Sequence, residues 1–182
     1  IEVQGLTLTR GRAEVLHDVS LRVDAGEFVA VVGANGAGKT SLIQAIAGVV
    51  DSPRGAVRVQ GLDPARTDLR RLSLHIGFVF QNPEHQFIAH TVFDEIAHGL
   101  RRQKLPDDEV TARTHELLRR FGLEGKAGVH PFLLSGGQKR RLSVGTALVA
   151  GAPILALDEP TFGQDRARAD ELLRLLQDLN AE

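Results

Sequence analysis

The chain has 182 residues, a formal net charge of −1, 42% hydrophobic and 25% charged residues. This mixture is typical of a soluble globular domain and excludes a broad basic face for nucleic acid. Cys is absent, which excludes a disulfide framework and thiolate chemistry. From the N-terminus, "IEVQGLTL" and "VLHDVSLRV" predict two strands joined by a turn at "GRAE". Phe28 to Val32 is wholly apolar and predicts a buried parallel strand.

Further along, "KTSLIQAIAG" predicts a helix that ends at Gly48, and "GAVRVQG" predicts another strand. The segment "LPDDEVTARTHELLRRFG" predicts a helix, because Pro106 and three acids precede its apolar face and Gly122 follows it. We expect a mostly helical insert from Asn82 to about Ala150. After it, "PILALDEPT" predicts a buried strand and "DRARADELLRLLQDLN" an amphipathic helix. This alternation of strands and helices predicts an α/β fold.

The stretch "GANGAGKT", Gly33 to Thr40, matches the phosphate-loop pattern between a predicted strand and a predicted helix. Glycines let successive backbone N–H groups surround phosphate oxygens, and the helix N-terminus adds its positive end. We expect Lys39 to reach the β- and γ-phosphates and Thr40 to offer its hydroxyl to Mg²⁺. The residues expected to hold the nucleotide are Gly33, Asn35, Gly36, Ala37, Gly38, Lys39, Thr40 and Ser41.

The strand "ILALDEPT" ends in two adjacent carboxylates, Asp158 and Glu159. Side chains at the carboxyl end of a parallel strand lie beside the crevice in which α/β sheets bind ligands. We expect Asp158 to hold Mg²⁺ through water and Glu159 to orient or deprotonate the attacking water.

Two adjacent glycines, Gly136 and Gly137, stand where a helix begins in "LLSGGQKRRL". A capping box explains Ser135 as the N-cap and Gln138 as its reciprocal partner. It does not explain the glycines, which are needed where a backbone approaches another group closely. At a helix N-terminus that group is most simply an anion. Since the loop at 33–40 already holds one phosphate chain, a nucleotide held by another molecule is one explanation.

Together, "GANGAGKT", "LSGGQ" and "ILALDEPT" resemble, in order and spacing, the nucleotide-binding subunits of ATP-binding-cassette (ABC) transporters. The resemblance covers nearly the whole chain. It implies a P-loop NTPase (RecA-like) core with an N-terminal antiparallel β subdomain and an inserted helical subdomain. We expect one ABC ATPase domain over 1–182, with core and β subdomain at about 1–81 and 151–182 and the helical signature subdomain at about 82–150.

In that family two such domains close head to tail around ATP and Mg²⁺. The resemblance implies that Ser135, Gly136, Gly137 and Gln138 cap the ATP of the partner, which is a copy or a paralogue of this chain. It also implies that Gln81 in "FVFQNP" is the glutamine that touches Mg²⁺ and the attacking water. Asp165 in "FGQD" is similar to the family's D-loop aspartate.

The stretch "FQNPEHQF", Phe80 to Phe87, resembles the ATPase subunits of energy-coupling-factor importers, which take up vitamins and metal ions. This resemblance implies integral membrane subunits as partners and a peripheral location on the cytoplasmic face of the cell membrane. Because the net charge is near zero, we expect no nucleic-acid partner, and we expect no direct insertion into the membrane. The longest stretch without a charge, Ser143 to Leu157, is shorter than the ~20 apolar residues of a span.

The sequence departs from the family pattern in two places. The position of the aromatic residue that stacks on adenine falls near Arg10, and the chain has no Tyr and no Trp. A guanidinium also stacks on a base, so Arg10 is the candidate. The switch histidine follows a strand after the final helix, and the chain stops at Glu182 before such a strand. We therefore expect residues to be missing at one or both ends, and poor hydrolysis from the chain as given.

Other classes of ATPase share parts of this pattern. DNA-repair and chromosome ATPases insert a long coiled coil, whereas 95 residues without sustained heptads separate Lys39 from Ser135. A translation-associated protein with two cassettes stays open as an alternative, and a small-molecule kinase would not need "LSGGQ". We expect no metal site at His85 and His90, which lack a third ligand.

Two further groups of side chains have more than one interpretation. We expect the basic run Lys139, Arg140 and Arg141 to pair with acids or phosphate. The apolar residues Phe87, Ile88, Val92 and Phe93 predict either core of the insert or a groove for a membrane partner.

Overall fold

The N-terminal residues form an antiparallel sheet in the computed structural model, which describes residues 1–149 and 151–181. Its strands are β1 (Glu2–Arg10), β2 (Ala13–Arg22) and β3 (Val57–Arg58), in the order β2-β1-β3. The predicted hairpin is confirmed, and alternate residues of β1 such as Leu6 and Leu8 are buried. Burial of every second side chain is the pattern of a sheet with one face on the core.

A second, parallel sheet pairs β4 (Ile76–Val79) with β5 (Ile154–Leu157), in register from Ile76 opposite Ile154 to Val79 opposite Leu157. Successive side chains of a strand point to opposite faces. Ile154 and Ala156 accordingly pack on the hydrophobic cluster of the N-terminal sheet, and Leu155 and Leu157 pack on that of the helices. The two-stranded sheet thus separates two cores and carries the predicted site residues at its carboxyl end.

Six α-helices surround these sheets in the described part of the chain. They are α1 (Lys39–Ile46), α2 (Leu69–Leu72), α3 (Val92–Arg102), α4 (Asp107–Arg120), α5 (Gly136–Val149) and α6 (Arg166–Ala181), with short 3₁₀ turns at Pro64–Arg66, Pro83–Gln86, Glu124–Lys126 and Pro131–Leu133. Local sequence explains the helix starts. Thr91 caps α3 by accepting from the Asp94 N–H at 3.0 Å, and α4 begins after Pro106 with three acids in its first turn.

The strand predicted at Phe28 to Val32 is wrong, because these residues do not form a strand. Their side chains are also largely exposed, with Phe28 at 48% and Val32 at 87%. A β-strand exists only where a neighbouring backbone completes its hydrogen bonds. Among the described strands β5 has one neighbour, β4, and none pairs with residues 28–32. Apolar composition predicted burial here, but none of the described strands pairs with this segment.

The predicted α/β fold with an antiparallel sheet and a helical region is confirmed. The division of the chain into subdomains at about residues 81 and 151 stays a prediction. Two of its boundary residues, Ala150 and Glu182, lie outside the described residues. None of the helices in the described ranges has both the length and the apolar character that crossing a membrane requires.

Candidate functional site

The glycine loop at 33–40 leads directly into α1. Gly36 and Gly38 have φ of 81° and 89°, and Gly38 is the N-cap of α1. A Cβ at Gly38 would lie 2.5 Å from the carbonyl oxygen of Val15 in β2. Glycine at 38 is therefore required both by its left-handed conformation and by the close approach of β2. The loop lies on the surface, with residues 33–37 exposed.

Lys39 begins α1 and folds back over this loop. Its Nζ donates to the carbonyl oxygens of Gly33 and Ala34, both at 2.9 Å. An ammonium has three donors, so a third remains for an anionic ligand. A surface loop of glycines, a helix N-terminus and a lysine cation together form an environment that favours phosphate.

Thr40 and Asp158 meet at the base of the loop. The Thr40 Oγ1 donates to Asp158 Oδ1 at 2.8 Å, and Asp158 is only 3% exposed. The Asp158 N–H donates to the Val79 carbonyl at 3.0 Å, which continues the pairing of β4 and β5 and fixes the carboxylate. Two of the residues predicted to hold Mg²⁺ are thus in direct contact.

The chemistry of this pair fits Mg²⁺, which takes oxygen ligands and is usually bound through one or two carboxylates plus substrate phosphates. Thr40 supplies a hydroxyl and Asp158 a carboxylate, next to a loop suited to phosphate. In residues 1–149 and 151–181, no three His, Cys, Asp or Glu residues are grouped as a metal site would need. The Thr40 hydroxyl and the Asp158 carboxylate therefore suit a metal ion whose other ligands are phosphate oxygens better than a metal ion bound by protein side chains alone.

Gln81 and Glu159 form the second contact between predicted site residues. The Gln81 Nε2 donates to Glu159 Oε2 at 2.6 Å. Glu159 has a φ of 46°, a left-handed conformation that is uncommon for a residue with a side chain. Such strain persists only where the surrounding structure imposes it, and it clusters at functional sites. The turn after β5 thus directs Asp158 toward α1 and Glu159 toward Gln81.

The signature stretch forms the predicted capping box. The Ser135 N–H donates to Gln138 Oε1 at 3.0 Å, and the Gln138 N–H donates to Ser135 Oγ at 3.4 Å. A Cβ at Gly136 would meet no atom within 4 Å, and one at Gly137 would lie 3.6 Å from Arg168 Cδ. Neither has a positive φ. Nothing in the described chain therefore requires glycine at these two positions.

The signature residues do not meet the phosphate loop. Clefts on either side of the signature glycines are lined by residues of α5, of α6 and of the segments at 81–84 and 162–164. No residue from 33 to 40, all of which the structure describes, lines either cleft. The predicted site residues thus form two groups, one at 33–40 with 158 and 159 and the other at 135–138. Gln81 lies between them, because it donates to Glu159 and also lines a cleft with Gly136.

Two other predicted residues lie near these groups. Arg10, at the end of β1, hydrogen-bonds through Nη2 to Gln44 Oε1 on α1, the helix that follows the phosphate loop. Asp165 lies just before α6 and accepts from the Arg168 N–H at 3.0 Å, so it caps that helix. The roles of Arg10 at adenine and of Asp165 in a D-loop stay predictions.

One residue near the site was assigned wrongly. In the basic run, Lys139 pairs with Glu84 at 2.5 Å and Arg141 with Glu171 at 3.2 Å, as expected for pairing with acids. Arg140 instead is buried and donates to the backbone carbonyls of Phe80 and Gln81. Burial lowers the pKa of its guanidinium, and the charges of Asp158 and Glu159 oppose that shift. Nothing in the sequence distinguished it from Lys139 and Arg141, because its partners are backbone carbonyls.

The chain resembles known transport ATPases over its whole length. Residues 16–162 match the family model described as ABC transporter. A provisionally named HMP/thiamine import ATP-binding protein, YkoD of Bacillus subtilis, is 40% identical over 100% of this chain. The energy-coupling factor transporter ATP-binding protein EcfA of Methanothermobacter thermautotrophicus is 37% identical over 92% of this chain. The chain spans 32% of the length of the first relative and 54% of the second.

Solved structures agree with this resemblance. CbiO1 from Clostridium perfringens, part of the ABC transporter complex cbiONQ, superposes with a TM-score of 0.82 and 29% identity, covering 99% of this chain and 73% of its own. An ATP-binding cassette solved as a dimer with ADP and Pi in a post-hydrolysis state superposes with a TM-score of 0.85 and 27% identity, covering 98% of this chain and 82% of its own.

Proposed function

Because the chain belongs to the family of ABC transporter ATPases, we propose that it is the ATP-binding and ATP-hydrolysing subunit of a membrane importer. The observation that carries this proposal is the pair of contacts at the carboxyl end of the β4–β5 sheet, Thr40 to Asp158 and Gln81 to Glu159. These contacts bring a phosphate loop, two carboxylates and an amide into one site. Phosphoryl transfer to water requires groups of this kind, to bind the phosphates, to hold the metal and to orient the attacking water.

Each of these residues has a distinct role in the proposed reaction. The loop N–H groups and Lys39 would bind the phosphates, and Thr40, Asp158 and Gln81 would hold Mg²⁺. When bound, the metal neutralises charge that develops on the phosphate oxygens. Glu159 accepts a hydrogen bond from Gln81 and orients or deprotonates the attacking water. Its strained backbone keeps that carboxylate directed at the site. Arg10 is proposed to stack on the adenine.

We further propose that hydrolysis requires a second cassette, closed head to tail on this one. Its support is the pair of glycines at 136 and 137, which nothing in the described chain requires. At the start of α5 they leave the helix N-terminus open to an anion, here the γ-phosphate of the partner's ATP. The similar cassette that was solved as a dimer with ADP and Pi favours the same arrangement. A copy of this chain and a paralogue are both suitable partners.

The proposed importer is of the energy-coupling-factor type, for vitamins or transition-metal ions. EcfA and the CbiO1 subunit of a transporter complex are among the similar proteins. They support the importer type that the stretch "FQNPEHQF" indicates. Val92 is buried, whereas Ile88, Phe132 and Leu133 are 69%, 50% and 78% exposed. The ring of Phe132 lies near that of Phe87, the neighbour of Ile88 in the chain, with 6.4 Å between the ring centroids. We assign this exposed apolar surface to the integral membrane subunits, which would place the chain on the cytoplasmic face of the membrane.

Reconstitution of the transporter tests this function. The full-length protein, affinity-tagged, is purified from detergent-solubilised membranes, and the integral proteins that accompany it are placed with it in liposomes. ATP-dependent uptake of a vitamin or metal ion that stops in a Glu159→Gln variant supports the proposal. Co-purification with ribosomes or DNA, together with ATPase activity that no integral membrane protein alters, would favour the non-transport alternative.

A further inference from the structure

Arg140 joins the signature helix to the segment that carries Gln81. It lies on α5, one turn after the signature glycines, and is 4% exposed. Its Nη1 donates to the Phe80 carbonyl at 2.6 Å and its Nη2 donates to the Gln81 carbonyl at 2.5 Å. These are the first two carbonyls after the end of β4. One side chain of α5 therefore holds the backbone at the point where it leaves the sheet.

The chemistry of this contact depends on a guanidinium. Its planar fork donates two hydrogen bonds in a fixed relative direction, which the single ammonium of lysine does not reproduce. A buried cation is costly unless opposite charge and hydrogen bonds compensate it. The compensation here comes from two backbone carbonyls and from the nearby charges of Asp158 and Glu159, not from a direct ion pair. The residue thus faces the reaction centre without belonging to the phosphate loop or to the carboxylate pair.

The held segment is the one that brings Gln81 to Glu159. The Gln81 side chain donates to the Glu159 carboxylate at 2.6 Å, while its own carbonyl accepts from Arg140. At the other end of the segment, Lys139 pairs with Glu84 at 2.5 Å. Two consecutive residues of α5 hold residues 80–84 at both ends. The place of the Gln81 amide relative to Glu159 is therefore set by α5.

We propose that Arg140 is a positioning residue for ATP hydrolysis: by holding the carbonyls of Phe80 and Gln81, it sets the Gln81 amide against Glu159. Because α5 begins at the signature glycines, a displacement of that helix is passed through Arg140 to the same amide. This inference rests on the hydrolysis proposed above and adds to it a link from the signature helix to the reaction centre.

Steady-state kinetics of the full-length protein in its transport complex tests the link. Arg140→Gln removes the cation and one of the two carbonyl contacts, and Arg140→Lys keeps the charge without the fork. We expect kcat to fall about 10- to 100-fold in Arg140→Gln, and less in Arg140→Lys, because a displacement of about 1 Å of a positioned group has effects of this size. The affinity for ATP should stay unchanged, because the phosphate loop is intact. Arg113→Gln, on the exposed face of α4, is the matched control and should leave kcat unchanged.

A double-mutant cycle with Gln81→Ala separates positioning from a merely structural role. If Arg140 acts through the Gln81 amide, Arg140→Gln should lower kcat little further in the Gln81→Ala background. Additive effects, an unchanged kcat, or loss of folding in both Arg140 variants would overturn the inference. A parent complex that hydrolyses no ATP would overturn the proposed function and this inference with it. If the parent complex hydrolyses ATP but the effects of the two substitutions on kcat are additive, this inference alone would be overturned.

Discussion

The hydroxyl of Thr40 donates to the carboxylate of Asp158 at 2.8 Å, although the two residues are 118 positions apart in the chain. The contact joins the first turn of α1 to the end of β5 and brings together two of the proposed oxygen ligands of Mg²⁺. Both residues are held by their own elements, Thr40 by the helix and Asp158 by backbone pairing with Val79. The loop and the carboxylate therefore form one site before any ligand binds.

Asp158→Asn should remove the effect of Mg²⁺ on ATP binding. The amide still accepts a hydrogen bond from Thr40, so the fold should be retained, with some loss of stability because the Asp158 charge helps to compensate the buried Arg140. The amide lacks the charge that the cation needs. We expect ATP affinity with Mg²⁺ to fall by about tenfold or more, with little change in EDTA. Calorimetric titration in both buffers measures this difference. Asp108→Asn, at an exposed position of α4, is the control. If Mg²⁺ raised the ATP affinity of Asp158→Asn as much as it raises that of the parent, Asp158 would be excluded as a ligand.

Lys39→Ala should abolish tight ATP binding. The variant loses the cation of the phosphate loop, and a hydrogen bond to a charged group contributes about 1.5–3 kcal/mol, or roughly 10- to 150-fold in affinity. Equilibrium binding of a fluorescent ATP analogue measures the loss, with Lys126→Ala as the control at a position outside the site. Parent-like affinity in Lys39→Ala would remove the phosphate-loop interpretation.

Gly137→Ala should weaken the ATP-driven association of two cassettes without lowering the stability of the monomer. The new methyl group lies at an ordinary contact distance, 3.6 Å from Arg168 Cδ, and alanine favours helix. Thermal stability should thus stay the same or rise by up to ~1 kcal/mol. ATP binding to the monomer should be unchanged, because the variant's own phosphate loop is intact.

What should fall in Gly137→Ala is ATP-driven association with the cassette that the parent pairs with. The methyl group enters the space where the α5 backbone and a partner's phosphate must meet. A loss of about 2–3 kcal/mol lowers the association constant roughly 30- to 150-fold. Sedimentation with ATP, in a Glu159→Gln background that preserves the nucleotide, measures it. Unchanged association with an intact fold would show that the glycines do not contact a partner's nucleotide.

Thr91→Ala should destabilise the fold in a pH-dependent manner. The Thr91 hydroxyl caps α3 and donates to Asp94 Oδ2 at 2.7 Å, which lowers the pKa of that carboxyl. Loss of the cap costs about 1 kcal/mol. A lowered folded-state pKa stabilises the fold above the ordinary Asp pKa of about 3.9, and this is lost as pH falls through the folded value.

Urea denaturation of Thr91→Ala and the parent at pH 7 and at a pH well below about 3.9, the ordinary Asp pKa, tests this expectation. The difference between the two proteins should be largest at pH 7 and smaller at the acidic pH. Thr91→Ser keeps the hydroxyl and is the control, so it should behave as the parent at both pH values. A difference that grows on acidification would contradict the assigned role of Asp94.

Features that depend on neighbouring residues could be predicted from the sequence. The capping box of Ser135 and Gln138 was predicted because both partners lie within one helical turn. The same holds for the loop glycines, whose spacing itself encodes a backbone conformation. The pairing of Thr40 with Asp158 could be expected only from the resemblance to a family, since no local pattern joins residues so far apart.

Features that depend on distant backbone could not be predicted. Phe28 to Val32 has a strand's composition, but a strand needs a neighbour, and none of the described strands supplies it. Arg140 has two backbone carbonyls as its partners, 59 and 60 positions away. Every residue has a carbonyl, so a contact of this kind leaves no trace in the pattern of side chains.

The proposed role of Glu159, to activate water on ATP bound at the phosphate loop, is tested by the hydrolysis rate of Glu159→Gln in the full-length transport complex. The amide is nearly isosteric with the carboxylate but is no base. We predict parent-like ATP affinity with hydrolysis slower by about 100-fold or more. Hydrolysis at the parent rate would show that Glu159 is not the catalytic carboxylate and would contradict the mechanism proposed for this site.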